Sequence, residues 1–294
     1  MGRYLALQLA RQGYRVLLLC RNAQKGEAAR ADIVRKTRNE QVYLVRCDLA
    51  SQADIRRAAA EIRHRSPVID VLINNAGAIN GTYAETVDGL ETTLAVNHLA
   101  YFLLTNLLLE AVRAAPAGRI VVLASQAQAM GEVPWDNLNL RGRYSPWRAY
   151  CNSKLMNILF TLALARRLKG TRATVNAVHP GAVRSNFGRE TGGVAGTLFR
   201  MFGFLMRSVE KGAETPLWLA TSSDVAGRGG LYFSDKRPIQ AQKGAYDEAA
   251  QERLWALSAD LTRLEPAAPG TDPAASAGHG ESFPHSPGAG QANG

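Results

Sequence analysis

Arg119-Ile120-Val121-Val122-Leu123-Ala124-Ser125 and Tyr150-Cys151-Asn152-Ser153-Lys154 are the stretches on which the fold turns. The first is a strand-length aliphatic run that stops on a polar residue; the second opens a long helical pattern. Outward from them, short aliphatic or β-branched runs alternate with amphipathic stretches. Strands are expected at Arg15–Cys20, Val42–Cys47, Val68–Asn74, Arg119–Ala124, Thr174–His179 and Gly230–Phe233. Between them lie helical patterns at Tyr4–Gln12, Gln24–Lys36, Gln52–Arg63, Leu90–Ala111, Ala149–Leu168 and Ala213–Ala220. Parallel strands need crossovers, and helical crossovers hide both faces of a sheet, so the alternation implies an α/β fold with a doubly wound parallel sheet in three layers, α/β/α. In such sheets ligands bind beyond the carboxyl ends of the strands, which singles out polar residues placed just after a strand.

Ser125 is one of them. Tyr150 and Lys154, four apart on a helix, share a face, so the ammonium lies near the phenol. A tyrosine has an ordinary pKa of about 10, and a neighbouring cation favours phenolate, which brings the group towards acid/base work near neutral pH. Ser125 is then placed to hold a substrate oxygen while Tyr150 exchanges its proton. Taken alone, a Tyr-x-x-x-Lys spacing is also that of an ordinary surface pair.

The chain has 294 residues, 46% of them hydrophobic, enough for one sizeable core, expected over 1–264. From Glu265 the composition turns to Pro, Gly, Ala and Ser without an apolar period, so 265–294 is expected to be a disordered tail. The net charge of +10 comes from basic residues scattered among Ala and Leu, with no nucleic-acid motif, so nucleic acid is not an expected partner. A basic rim round a site for a phosphorylated cofactor suits the charge at least as well. Cys20, Cys47 and Cys151 are odd in number and lack metal-ligand spacing. They read as reduced thiols of a cytoplasmic or cytosol-facing protein, and no metal is expected. No apolar run approaches the roughly 18 residues of a spanning helix, and Met1 leads into Gly2-Arg3-Tyr4 without a signal core; membrane association through an anchor would belong to a full-length parent.

Further motifs stand in order along the chain. Asn74-Asn75-Ala76-Gly77 closes the third expected strand, Asn97 lies in Val96-Asn97-His98-Leu99, and Pro180-Gly181-Ala182-Val183-Arg184-Ser185 follows Thr174–His179. With Ser125, Tyr150 and Lys154 these make the sequence resemble the short-chain dehydrogenase/reductase family from Gly2 to about Leu264. The resemblance implies a Rossmann-like sheet and a nicotinamide-dependent oxidoreductase. It implies a catalytic tetrad of Asn97, Ser125, Tyr150 and Lys154, with Asn97 holding a water that relays protons to Lys154; as a residue in mid-helix, Asn97 also suits a satisfied polar core position. It places Asn75, Ala76, Gly77, Tyr150, Lys154, Pro180, Gly181, Val183 and Ser185 on the cofactor, with Asp48 and Leu49 at its adenine. Asp48 alone is otherwise a helix N-cap for the stretch that follows, and Ser185 a helix start. Asn157-Ile158-Leu159-Phe160-Thr161 and Tyr232-Phe233-Ser234-Asp235 are similar to the retinol-dehydrogenase-like subgroup, which implies an apolar alcohol or aldehyde, retinol-like, steroid or lipid, as substrate.

Where NAD-preferring sites place an acidic residue at the end of a strand, this chain has Cys20-Arg21-Asn22. A guanidinium suits a 2′-phosphate, so NADP(H) is expected over NAD(H), with Arg21 and Asn22 in contact; the alternative is a solvated turn. The run Val194–Met206, rich in Leu, Phe and Met, reads as an apolar lid over the substrate, as a core helix, or, with Arg200 and Arg207 beside it, as contact of 194–207 with a membrane surface. Assembly into a homo-oligomer stays open. One departure stands out. The family opens with a strand and a glycine-rich turn, of which only the last glycine, Gly2, is matched. The expectation is therefore a sheet lacking its first central strand, which either closes by new pairing or leaves a gap of about 9–10 Å between two unpaired edges. A chain so arranged is expected to be poorly stable and to hold cofactor weakly, so a non-catalytic role in protein–protein binding is the alternative to an enzyme.

Overall fold

The computed structural model describes residues 1–182 and 207–264. Helix α1 (Gly2–Arg11) leads into β1 (Val16–Cys20), followed by α2 (Ala23–Thr37), β2 (Val42–Arg46), α3 (Gln52–Arg65) and β3 (Val71–Asn74). A long helical run, α4 (Thr92–Arg113), precedes β4 (Arg119–Leu123), α5 (Pro146–Arg167) and β5 (Thr174–Val178). After the undescribed stretch come α6 (Val209–Thr221), β6 (Leu231–Ser234), β7 (Arg237–Ile239) and α7 (Glu248–Leu261). The expected lid, Val183, Ser185 and the tail 265–294 lie outside the described residues.

The alternation seen in the sequence is a doubly covered sheet. On β4, Ile120 and Val122 pack with Tyr101, Phe102, Phe160 and Leu164 on the side of α4 and α5, whereas Val121 and Leu123 pack with Leu219 and Ala220 of α6. Successive side chains on a strand point to opposite faces, so a continuous aliphatic run is what burial on both faces requires. Helices α3, α4 and α5 cover one face, and α1, α2 and α6 the other.

The sheet does not close. Strands β1 and β2 pair in parallel as one sheet, and β3-β4-β5-β6-β7 form a second. Among the described residues no ladder joins β1 to β3. The halves are held together by side chains instead: Leu17 and Leu19 share a cluster with Leu72 and Ala100, and Ile73 packs beside Val16 and Val42. Of the two outcomes expected for such a sheet, the open one is found.

Several expectations need correction. The sheet is not wholly parallel, because β7 runs antiparallel to β6 through a two-residue hairpin. Asp235 (φ 48°) and Lys236 (φ 61°) both take the left-handed backbone that such a hairpin demands, and Asp-Lys is not the Asn-Gly pair that would have announced it. The helix expected from Leu90 begins at Thr92, with the Glu91 carboxylate accepting from Thr93 N and Leu94 N, each at 2.7 Å, and it passes through a π turn at Ala95–Leu99. Although α4 has the length and apolar composition of a spanning helix, most of it is buried within the fold. Ser51, not Asp48, caps α3 by accepting from Asp54 N. Asp48 Oδ1 accepts from Ala50 N at 3.0 Å, a local turn before the helix.

Helix α7 was not among the expected helices; its buried face mixes Gln251 and Ser258 with Leu254, which weakens the apolar signal. Its Trp255 stacks on Phe160 of α5 (5.9 Å between centroids, 24°) and meets Phe102 edge-on at 4.9 Å. Phe160 also meets Phe102 edge-on at 5.7 Å, so one ring ties three helices together. Replacing Phe160 with alanine is expected to cost about 3–5 kcal/mol, read as a lowered midpoint in denaturant unfolding. A loss below about 1 kcal/mol would show that α4, α5 and α7 are held by something else.

Candidate active site

The carboxyl end of β4 and the first turns of α5 meet at one buried point. Lys154 is 3% exposed, and its Nζ donates to the carbonyl of Leu123 at 3.0 Å. The ammonium stands 5.6 Å from the Tyr150 ring centroid and 5.9 Å from that of Tyr101. Proline within the first turn of α5, where no backbone donor is needed, sets the helix start that fixes this geometry. Ser125, just past β4, caps the short turn Gln126–Met130 by accepting from Ala127 N at 3.2 Å. It also shares a hydrogen bond with Tyr150.

Burial drives Lys154 down from the ordinary 10.5 to about 8, because a dry site penalises the ammonium. Tyr150 goes the other way from the sequence expectation. Burial pushes its phenol above the ordinary value, and the hydrogen bond with Ser125 pulls it back only in part. The cause is the depth of the ring, which spacing along a helix does not reveal.

Asn97 sits in the π turn of α4 and is wholly buried. Its Oδ1 accepts from Ala78 N at 2.8 Å, while its Nδ2 donates to Ala78 O at 2.9 Å and to Ser153 Oγ at 3.1 Å. The side chain therefore ties the segment after β3 to α5, as the reading of Asn97 as a satisfied polar core residue expects. A Cβ at Gly77 would lie 3.5 Å from Asn97 Oδ1 and 3.7 Å from Lys154 Nζ, so glycine leaves space over both groups. Tyr101 Oη donates to Ala76 O, and Asn74 Nδ2 to Thr105 Oγ1 at 2.9 Å, which pins the Asn-Asn-Ala-Gly segment to α4. The Oδ1 of Asn75 is a buried acceptor without a partner among the described residues.

The remaining candidates lie at strand ends. Gly2 opens α1 so close to Asn75 that a Cβ on it would fall 2.7 Å from Asn75 Nδ2. Arg21 is exposed beyond β1 and makes no ion pair among the described residues. Asn22 caps α2, accepting from Lys25 N at 2.8 Å. Asp48 and the half-buried Leu49 follow β2. Beyond β5, Pro180 leads to Gly181 at φ +84°, where a Cβ would meet Arg207 Cδ at 2.6 Å. Arg207 forks onto both carboxylate oxygens of Asp235, and its backbone bonds Ala182 O at 2.7 Å. The structure thus gathers Asn97, Ser125, Tyr150, Lys154 and Gly77, and sets Arg21, Asn22, Asp48 and Leu49 at the ends of β1 and β2.

The residues round Gly77 suit a nicotinamide cofactor, since no side chain stands at 77 and the buried Asn75 Oδ1 is an acceptor without a partner among the described residues. Sequence reasoning missed Tyr101 and Trp147. Trp147 is half exposed, with its ring 5.8 Å from that of Tyr150 and tilted by 31°. The three-residue spacing from Trp147 to Tyr150 on a helix was a usable signal. A cavity of about 800 Å³ opens at the amino ends of β5 and β6, between Arg166, Lys169, Arg172 and Gly230, remote from these groups.

The short chain dehydrogenase family profile matches residues 1–192. Human retinol dehydrogenase 13 is 42% identical over 271 residues, covering 90% of this chain and 82% of its own length. Human retinol dehydrogenase 12 is 40% identical over 260 residues, covering 88% and 82%. Among solved structures, an uncharacterized protein from Mycobacterium paratuberculosis superposes with a TM-score of 0.71 at 33% identity, covering 90% of both chains. A short chain dehydrogenase from Escherichia coli CFT073 complexed with NADPH gives 0.62 at 24% identity, covering 79% of this chain and 90% of that one, a likeness of fold alone. The chain belongs to the short-chain dehydrogenase/reductase family, in its retinol-dehydrogenase-like part, and is an oxidoreductase.

A folded pKa of about 8 against 10.5 means that the unfolded state binds more protons between those values. Stability should therefore rise with pH from about 8 towards 10.5, the cost of burying the ammonium being largest below 8. Lys154→Met, which loses one hydrogen bond but removes that charge, is expected to stabilise the fold by about 1–3 kcal/mol at pH 7 while abolishing turnover. Thermal melts at pH 7 and pH 10 check this: the gain must shrink at the higher pH, and a destabilised variant at pH 7 would contradict it.

Proposed function

We propose that this oxidoreductase interconverts an apolar alcohol, retinol-like, steroid or lipid, and its aldehyde or ketone with NADP(H). One observation carries the proposal: Tyr150, hydrogen-bonded to Ser125, has the buried ammonium of Lys154 one helical turn away, beneath the space left by Gly77. In the reducing direction Ser125 holds the substrate oxygen and Tyr150 gives it a proton, which Lys154 and Asn97 stand behind to restore. When bound, the nicotinamide supplies or takes up the hydride. In the oxidising direction Tyr150 takes the proton from the alcohol, its phenolate steadied by the hydrogen bond with Ser125, which lowers its pKa.

The residues that would hold the cofactor follow the strand ends. The amino end of α1 at Gly2 favours the pyrophosphate, since a helix start presents backbone donors and a positive dipole end. Arg21 and Asn22 would take the 2′-phosphate, Asp48 and Leu49 the adenine, and Asn75, Ala76, Gly77, Pro180, Gly181, Val183 and Ser185 the remainder, with Tyr150 and Lys154 beneath the ribose and nicotinamide. The choice of NADP(H) rests on Arg21, a guanidinium without an acidic partner among the described residues. An apolar substrate is supported by the names of the relatives, retinol dehydrogenases, and by Trp147 beside Tyr150. In this proposal one domain, 1–264, carries the activity on the cytosolic side. Assembly into a homo-oligomer is compatible with it.

The divided sheet favours a second reading. Strands β1 and β2, which carry Arg21 and Asp48, share no backbone ladder with β3. Side-chain packing and a few side-chain hydrogen bonds from α3, such as Gln52 Nε2 to Leu261 O at 2.8 Å, set their distance from Tyr150 instead, and a loose setting would weaken the cofactor site and leave protein–protein binding as the role.

The test is Tyr150→Phe, assayed by NADPH calorimetry and by turnover of retinaldehyde. The enzyme reading expects NADPH affinity within a few-fold of the parent and turnover lost by about 100-fold or more. Absence of NADPH binding by the parent chain would favour the second reading, and retained turnover in the variant would remove Tyr150 from the chemistry. Arg21→Asp is expected to shift cofactor preference from NADP(H) towards NAD(H) by about tenfold or more, as the loss of one charge-assisted contact implies. Unchanged ratios of kcat/KM would make Arg21 a solvated turn residue.

A further inference from the structure

The carbonyl of Leu123 has a second donor. Besides Lys154 Nζ, it accepts from Nδ2 of Asn157 at 3.2 Å. Asn157 is wholly buried, one turn after Lys154 on α5, and its Oδ1 lies 3.3 Å from Nδ1 of His98. His98 is also wholly buried, next to Asn97 in the π turn, and its Nε2 lies 2.9 Å from Ser258 Oγ on α7. The chain of contacts runs from α7 through α4 and α5 to the atom that holds the ammonium.

Its direction follows from the chemistry of the groups. Asn157 spends its amide nitrogen on a carbonyl, which only accepts, so its oxygen must accept from His98. His98 therefore carries its proton on Nδ1, and Nε2 is left to accept from the Ser258 hydroxyl. Burial drives the imidazole down to about 4, so it is neutral in the working range, as this arrangement requires. Around it stand Asn157, Ser258 and the edge of Phe160, with no charged group in contact among the described residues. Every member has one orientation, and an amide held in that way takes a fixed share of the Leu123 carbonyl.

We propose that Asn157, oriented by His98 and Ser258, is a positioning residue that sets where Lys154 holds its ammonium. With Asn157 donating, Leu123 O is divided between two donors and Nζ stays near Gly77 and Asn97. Without that donor the whole carbonyl is open to Lys154, which binds it more tightly and is drawn towards the sheet. The proposal rests on Lys154 acting in the site as described above. Its test reads Lys154 directly, so it can fail or hold independently of turnover.

Three measurements on the full chain decide it. Nitrogen-15 spectra of the parent protein should show His98 as the Nδ1–H tautomer, neutral at pH 6; an Nε2–H tautomer would reverse the chain and overturn the proposal. Carbon-13 labelling of lysine Cε, with the Lys154 signal assigned by its loss in Lys154→Met, should show a titration near 8. The other titratable groups facing it are Tyr150 on α5 and Tyr101 on α4. In Asn157→Asp the midpoint should rise to about 9 or higher, since a carboxylate there favours the ammonium and no longer donates to Leu123. His98→Leu leaves both lysine and Asn157 in place but frees the amide to turn, and the midpoint should rise by a smaller amount in the same direction. An unmoved Lys154 titration in either folded variant would leave the network a matter of core packing alone. Should Asn157→Asp fail to fold, His98→Leu and the tautomer of the parent still decide.

Discussion

Lys154 carries an ammonium into a nearly dry interior, and the fold is arranged round the one backbone carbonyl that receives it. A buried cation is tolerated only where its donors are met, and Leu123 O at the end of β4 meets one of them. That contact fixes how α5 lies against the sheet, and so where Tyr150 stands relative to Ser125. Beside it, the π turn of α4 carries the buried Asn97, and Gly77 lies over both Asn97 Oδ1 and Lys154 Nζ. The lowered affinity of Lys154 for its proton is the cost of this arrangement and the source of its use, because a lysine of about 8 exchanges its proton readily near neutral pH.

The surroundings of that point are rigid for different reasons on different sides. Behind it, Phe102, Phe160 and Trp255 lock α4, α5 and α7 by ring contacts, and Arg167 stacks on Trp255 at 3.8 Å. Beside it, the Asn97–Ala78 and Tyr101–Ala76 bonds hold the segment after β3. Towards Arg21 and Asp48 the link is weaker. There the two sheets meet through aliphatic side chains rather than a ladder, so the β1–β2 half is positioned largely by packing, which is less directional than hydrogen bonding. The half that carries Ser125, Tyr150 and Lys154 and the half that carries Arg21 and Asp48 are therefore unequal in how firmly they are built.

Much of the fold was legible because it follows local rules. The β4 run is aliphatic on both faces and must be covered twice; Tyr150 and Lys154 are four apart on a helix and must share a face. Strand ends are where parallel sheets place their sites, so Ser125, Asp48 and the Asn-Asn-Ala-Gly segment could be marked in advance. Helix α7 and the β6–β7 hairpin were hidden for physical reasons. The first buries polar residues, Gln251 and Ser258, on the face that periodicity would expect to be apolar, and the second turns on Asp235 and Lys236, which adopt left-handed backbone without the usual glycine.

The sequence by itself determined the order of elements, the double covering of the sheet and the membership of Ser125, Tyr150 and Lys154 in one site, since these rest on periodicity and spacing that act within a few residues. Tertiary structure alone decided the electrostatics. Tyr150 is pushed up rather than down because its ring is partly withdrawn from water, and the buried Lys154 is lowered for the same reason; burial depends on what segments distant in sequence place overhead. It alone joined His98, Asn157 and Ser258, which are separated by up to 160 positions, into one directed line of hydrogen bonds. And it alone decided that β1 and β3 stay apart rather than pair anew, because strand pairing is a contact between segments whose partners no local pattern names.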